Sequence, residues 1–272
     1  AGVTKTVLHG YASIAGSEES TYWPGHEGMW PVFSERFGSR QPSYQHYQDW
    51  TGMITRFQML LRQGKPRMDL GILRLDYNFN NLYFTGKNEK ELYEHDLMRG
   101  NEGVFWKDMK LQNSGYTWDY FAPQILEEDF VDFSDGELLH DGPGYQALII
   151  YQTCLPLSSA RKLCQMAKKG LPILFVNGVT ETTRPFSDTF HAKAAAMTPF
   201  NDGMDRELER IINEMKSLPN VRELNGQADV YEVLISLGIR PRTEFAEENK
   251  NILTLLREEG SKTYFYAYNM MY

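Results

Sequence analysis

The sequence predicts an α/β protein built on a doubly wound parallel sheet, and three observations carry that expectation. Short, almost uninterrupted apolar runs recur at residues 70–75, 147–151 and 172–176, as in strands that helices cover on both faces. Between and after them lie stretches with a single apolar stripe, clearest at 202–218 through Met204, Leu208, Ile211, Ile212 and Met215. Strands and helices alternating at this spacing are the pattern of parallel sheets.

Residues 3–8 have the β-branched bias of a buried strand. They empty into a long loop within the stretch TKTVLHGYASIAGSEESTYWPGHEGMWPVFSERFGSRQP, which has neither helical nor strand periodicity after Gly10. Tyr22, Trp23, Met29, Trp30, Phe33 and Phe37 argue against disorder there, so the loop reads as a binding or active-site loop. A helix at 47–63 follows, with Trp50, Met53, Ile54, Phe57, Leu60 and Leu61 on one stripe and Gly64 as its stop. Lys65, Pro66 and Arg67 then mark a domain boundary, because Pro after a helix-ending Gly blocks continuation.

The second domain begins near Met68, and its first strand opens into DYNFNN. Helical stretches at 89–98 and 102–112 precede GYTWDYF, which reads as a loop or short strand. Asp135-Gly136 is a hairpin signal within 129–145. A helix at 158–169 takes Ser158 or Ser159 as its cap and Gly170 as its stop. AKAAA at 192–196 offers a short helix, 221–224 a strand and 228–237 a helix. Segments 252–257 and 263–268 form an antiparallel hairpin across Glu259-Gly260. The expected domains are 1–64, 65–250 and a hairpin at 251–272 leading into a further β domain. A buried-type strand almost at Ala1, with nothing before it to pair with, gives the expectation that the chain is an internal piece of a longer protein.

At 272 residues, 42% hydrophobic and 24% charged, the composition is that of a globular protein with room for a sizeable core. A net charge of -8 argues against a nucleic-acid partner, since no basic cluster offers phosphate contacts. No apolar run approaches the roughly 20 residues of a membrane span, and AGVTKT lacks the basic and apolar regions of a signal peptide. Cys154 and Cys164 are too few for a disulfide scaffold, and Cys164 fits a buried helix face with Ala160, Leu163 and Ala167.

The chemistry points to carbohydrate. Tyr and Trp bury an apolar face while keeping a polar edge, and neighbouring carboxylates and amides accept hydrogen bonds from hydroxyls. Glu18, Glu19, Glu27 and Glu35 are the carboxylates of the opening loop. Glycoside hydrolysis uses two carboxyl groups, held about 6.5–9.5 Å apart in inverting enzymes. Glu27 is the first choice for a catalytic acid, because Trp23, Pro24, Met29 and Trp30 around it would desolvate the carboxyl and raise its pKa. Glu18 and Glu19 are the alternatives. His9, Tyr22, Trp23, His26 and Trp30 would contact the sugar, joined from the second domain by Asp76, Tyr77, Trp118 and Asp119; His9 also suits a core histidine. No Asp-rich loop, repeated His spacing or glycine-rich phosphate loop is present, so no metal or nucleotide cofactor is expected within the chain.

The order LHGY, YWPGHEGMWP, FGSRQPSYQHYQDWTGMITRFQMLLRQG and PRMDLGILRLDY, continuing through GYTWDYFAPQIL, YQALIIYQTCLPLSSARKLCQMAKKGLPILFVNG and ILTLLREEGSKTYFYAYN, spans nearly the whole chain. It resembles family 106 glycoside hydrolases, the alpha-L-rhamnosidase family. The resemblance implies that 1–64 is the last βα portion of a (β/α)8 barrel, with the aromatic loop on the active-site face. It also implies that the second domain is a flavodoxin- or amidotransferase-like sheet, and that calcium belongs to the full-length parent. GYTWDYF is similar to the GYDYD-type motif of these hydrolases, with Thr117 where that motif carries Asp. An amidotransferase nucleophile needs small residues around its Cys, whereas here Gln152-Thr153-Cys154-Leu155-Pro156 stands, so the thiol reads as inert. The expected function is part of a glycoside hydrolase acting on alpha-L-rhamnosides or related plant or microbial polysaccharide glycosides by an inverting two-carboxylate mechanism, inactive as an isolated chain, and secreted or periplasmic if the parent carries an upstream signal peptide. The alternative is a non-catalytic carbohydrate-binding module, or an oligomerisation module with homo-oligomer contacts through the α/β domain.

Overall fold

A computed structural model describes residues 42–74, 106, 108–178, 193–199 and 202–269, in two units that divide between Gly64 and Lys65. In the first, a 3-10 turn at Pro42–His46 runs into helix α1, Tyr47–Leu61. Gly64, at φ 59°, turns the chain out of it where a side chain would be strained. None of α1 is buried, and Trp50, Met53, Phe57, Met59 and Leu60 are exposed along it. The barrel strand expected at 3–8 lies outside the described residues.

The second unit runs β1 (Lys65–Arg67), β2 (Leu70–Leu73), α2 (Met109–Asn113), β3 (Trp118–Phe121), a 3-10 turn (Pro123–Glu127), β4 (Phe133–Ser134) and β5 (Glu137–Leu138). It continues with β6 (Ala147–Ile150), α3 (Leu157–Lys168), β7 (Ile173–Asn177), α4 (Asp205–Lys216) and β8 (Val221–Asn225). Last come α5 (Val230–Ser236), β9 (Ile252–Glu259) and β10 (Lys262–Asn269). Five strands pair in parallel in the order β3-β2-β6-β7-β8. Counted along the chain this is 2-1-3-4-5, one of the two common doubly wound orders.

Period-two alternation divides the core between the sheet's faces. Leu148, Ile150, Ile173 and Phe175 pack with Leu163, Ala167, Leu208 and Met215 of α3 and α4. Leu70, Ile72, Ile149, Leu174 and Val176 pack with Trp106, Leu111, Tyr116, Val230 and Leu234. Each fully buried Leu or Ile contributes roughly 1.5–3 kcal/mol, so the three middle strands dominate the core's stability. Gly71 lies on the first face, where a Cβ would come within 2.8 Å of the Phe121 ring. Its absence leaves room for Phe121 to stack on Tyr145 at 5.3 Å.

Asp69, at the amino edge, is 1% exposed. Its Oδ2 accepts from the Thr117 N–H and hydroxyl, both at 2.8 Å, and its Oδ1 from Arg242 N–H at 2.7 Å and Gln146 Nε2 at 3.1 Å. Burial raises its pKa, and these donors only partly counter the shift. Arg242 also donates to Glu137 Oε1 at 2.6 Å, while Arg67 bonds the other Glu137 oxygen and reaches Glu258 at 3.1 Å. Burial pushes the Glu137 carboxyl up, but hydrogen bonds from Arg67 and Arg242 outweigh it and hold the group below its ordinary value.

Four local expectations change. Lys65–Arg67 forms β1, because it pairs antiparallel with β9; with β10 this makes a three-stranded sheet. Ser158 and Ser159 do not cap α3: Pro156 precedes its first turn, and both hydroxyls donate to Glu127 Oε1 at 2.7 Å. Residues 193–199 form turns rather than a helix, with Ala195 at φ 51°, because Ala195 and Met197 N–H bond Gln152 and Thr153 carbonyls. Helix in the 102–112 stretch is confined, among the described residues, to Met109–Asn113, where Asp108 caps it through Leu111 N–H at 3.0 Å. The Asp135-Gly136 turn has φ 52° and 80°, the doubly positive pattern of a tight hairpin.

Gly115 sits at φ 98°, with Thr243 O only 1.9 Å from where a Cβ would be. Gly115→Ala should therefore cost at least about 2 kcal/mol through strain and displacement of the 243 backbone. Urea unfolding reads this directly, and a change within experimental error would refute the close approach.

Candidate functional site

In a doubly wound sheet the ligand side is the carboxyl edge, at the point where successive connections leave to opposite faces. Here that point lies between β2 and β6. The β2-to-β3 connection includes α2, whose Leu111 packs on the second face, whereas β6 leads into α3 on the first. Arg74 follows β2 and bonds Phe121 O through its N–H at 3.1 Å, while Tyr151, Gln152, Thr153 and Cys154 follow β6.

Aromatic rings gather at this edge. Trp106 and Tyr151, both buried, meet at 5.7 Å between ring centres. Tyr120 donates its hydroxyl to Trp106 O at 3.0 Å, and the Arg74 guanidinium lies 5.7 Å from the Tyr120 ring. Burial raises the Tyr120 pKa above its ordinary value, so the phenol stays a neutral donor. The Trp106 indole N–H is enclosed without a hydrogen-bond partner. Trp106 and Tyr151 are too buried to stack on a ligand, so they wall this edge, and the partly exposed Tyr120 and Arg74 beside them are the groups a polar ligand could meet. The sequence reading missed this cluster, because Trp106 and Tyr151 fall in a helical stretch and an apolar strand, where aromatics ordinarily mean core.

Of the predicted site residues, Trp118 and Asp119 are described. Trp118 pairs with Leu70 at the amino end of β3, and Asp119, opposite Gly71, is exposed. The parallel register thus brings Tyr120 and Phe121, not Trp118, nearer the carboxyl edge. His9, Glu18, Glu19, Tyr22, Trp23, His26, Glu27, Trp30, Asp76 and Tyr77 lie outside the described residues. Among the described residues, no group of three His, Cys, Asp or Glu side chains is placed to hold a metal ion, and no helix is long and apolar enough to cross a membrane.

Cys154 is half-buried and bridges to Met197, three residues before α3 begins, so it does not stand on a strand-to-helix elbow. Within its own unit the one described histidine, His140, contacts Glu137 at 3.2 Å rather than the thiol. A separate cavity of about 190 Å³ runs along α4, lined by Lys193, Arg206, Glu209, Asn213 and Lys216. Its charges are of both signs.

Fold and edge together define a doubly wound α/β unit with a small antiparallel sheet attached. No protein-family profile matches the chain, and no curated protein sequence does. Among solved structures, the chain is similar in fold to part of a rhamnosidase from Novosphingobium sp. PP1Y, with TM-score 0.54 and 14% identity. The match covers 89% of this chain and 21% of that one, so the chain spans about a fifth of the rhamnosidase's length.

The thiols give a check on the site's chemistry. Burial first, and Glu214 next, raise the Cys164 pKa, and the residue is 6% exposed. Iodoacetamide on the native chain should alkylate Cys154 and spare Cys164 until unfolding. Alkylation of Cys164 first, followed by peptide mass spectrometry, would contradict this placement.

Proposed function

We propose that this chain is part of a glycoside hydrolase of the alpha-L-rhamnosidase type, with residues 1–64 contributing to a (β/α)8 catalytic barrel and the α/β unit trailing it. The observation that carries the reading is the fold similarity to a rhamnosidase over 89% of the chain, which agrees with the order of aromatic and carboxylate motifs in the sequence. Glu27 acts as the general acid, with Glu18 and Glu19 as alternatives, in an inverting two-carboxylate reaction whose second carboxylate lies elsewhere in the barrel. Trp23 and Trp30 stack on the sugar; His9, Tyr22 and His26 bond its hydroxyls. Asp76 and Tyr77 extend the sugar contacts into the α/β unit, whose own role is structural or oligomeric, whereas Trp118 and Asp119, paired with Leu70 and Gly71 in the amino half of β3, are left out of the sugar site. Calcium, where the parent binds it, is held outside this chain.

A second reading, a binding or oligomerisation module without activity, is favoured by one feature. Tyr268 of β10 and its directly paired Leu253 of β9 are 60% and 39% exposed on one face of the hairpin, an apolar pair open to a partner.

Hydrolysis of an aryl alpha-L-rhamnoside by the full-length parent separates the two. Under the first reading, Glu27→Gln lowers kcat by about 10² to 10⁴ at unchanged stability. A parent that hydrolyses no aryl glycoside supports the second, and turnover within about threefold of wild type removes Glu27 from the chemistry.

A further inference from the structure

We propose that Asn225 is a self-modifying site, whose side-chain amide is displaced by the Gly226 backbone nitrogen to leave an aspartyl or isoaspartyl link at the carboxyl end of β8. The chain carries Asn-Gly twice, at 177–178 and 225–226. The fold places both alike: they close neighbouring parallel strands, with Asn177 opposite Asn225 in register. A glycine on the carboxyl side matters because its nitrogen must reach the Asn Cγ, and no side chain next to that nitrogen obstructs the approach.

The two amides are held differently. Asn177 Oδ1 accepts from Ala194 N–H at 2.9 Å and its Nδ2 donates to Glu223 Oε1 at 2.9 Å. Glu223 is fixed in turn by Lys216 Nζ at 2.5 Å. Turning the Asn177 carboxamide onto Gly178 would break both bonds. Asn225 is exposed, and among the described residues its carboxamide has one long contact, accepting from Asn177 Nδ2 at 3.4 Å. Gly226 stands at φ 115° with nothing within 4 Å of where a Cβ would be, which leaves room for a ring to close.

In the reaction, the Gly226 nitrogen loses its proton to solvent base and forms a bond to Asn225 Cγ. The Cγ–Nδ2 bond breaks, and the nitrogen leaves as ammonia after taking up a proton. Water then opens the resulting succinimide at either carbonyl, giving aspartate or the backbone-lengthened isoaspartate, with no oxidation or reduction. The new carboxylate lies beside Glu223 at the carboxyl edge, so modification adds like charge there and loosens the last β7–β8 register pair.

The test incubates the native 272-residue chain in mildly alkaline buffer and follows the peptides carrying Asn177 and Asn225 by mass spectrometry, with isoaspartate read by enzymatic methylation. The Asn225 peptide should convert several-fold faster than the Asn177 peptide, and denaturant should erase the difference. Equal native rates, faster conversion at Asn177, or a preference that persists in denaturant would overturn the proposal. Asn225→Gln, whose longer side chain closes the ring poorly, should abolish the mass gain in that peptide at an unchanged unfolding temperature; a persisting gain would also overturn it.

Discussion

One buried carboxylate sets the arrangement of the α/β unit. Asp69 lies among apolar strands where an unsatisfied charge would be untenable, and it is tolerated because four donors converge on it. Those donors come from the residues that begin β3 and β6 and from the segment after α5. The carboxylate therefore fixes the relative positions of three strand starts and of a chain segment 173 residues away in sequence. Arg242, Glu137 and Arg67 extend the network to Glu258 of β9. The antiparallel sheet is in this way tied to the parallel one by charge-assisted bonds rather than by a shared apolar core.

The sheet's two edges consequently do different work. Polar groups at the amino edge are spent on one another, with the Arg67 guanidinium packed closely over Gly144. At the carboxyl edge the strands end in Arg74, in Tyr151 to Cys154, and in the two Asn-Gly pairs, with aromatic rings packed around the β2/β6 point. Rigidity at one edge and open chemistry at the other is how a doubly wound sheet separates stability from recognition.

What the sequence made legible follows from the range of the interactions involved. The parallel strands and the α4 stripe could be read because burial on both faces, or on one stripe, writes itself into local pattern. The pairing of Lys65 with Glu258 could not, since it depends on residues nearly two hundred positions apart and on no periodicity. Ser158 and Ser159 misled for a similar reason: their acceptor, Glu127, lies some thirty residues upstream. Nothing local to Asp69 marks its role, which only its distant donors reveal. For the candidate site, the aromatic and carboxylate loop lies outside the described residues, and the placement of Trp118 opposite Leu70 at the amino end of β3 depends on a register that a single strand does not encode.

The most direct test of this account is the unfolding free energy of the chain carrying Asp69→Ala. Removing the carboxylate leaves the Thr117, Gln146 and Arg242 donors without their shared acceptor, and the account predicts a loss of about 3 kcal/mol or more in urea unfolding. A loss below about 0.5 kcal/mol, the range of an ordinary surface substitution, would contradict it.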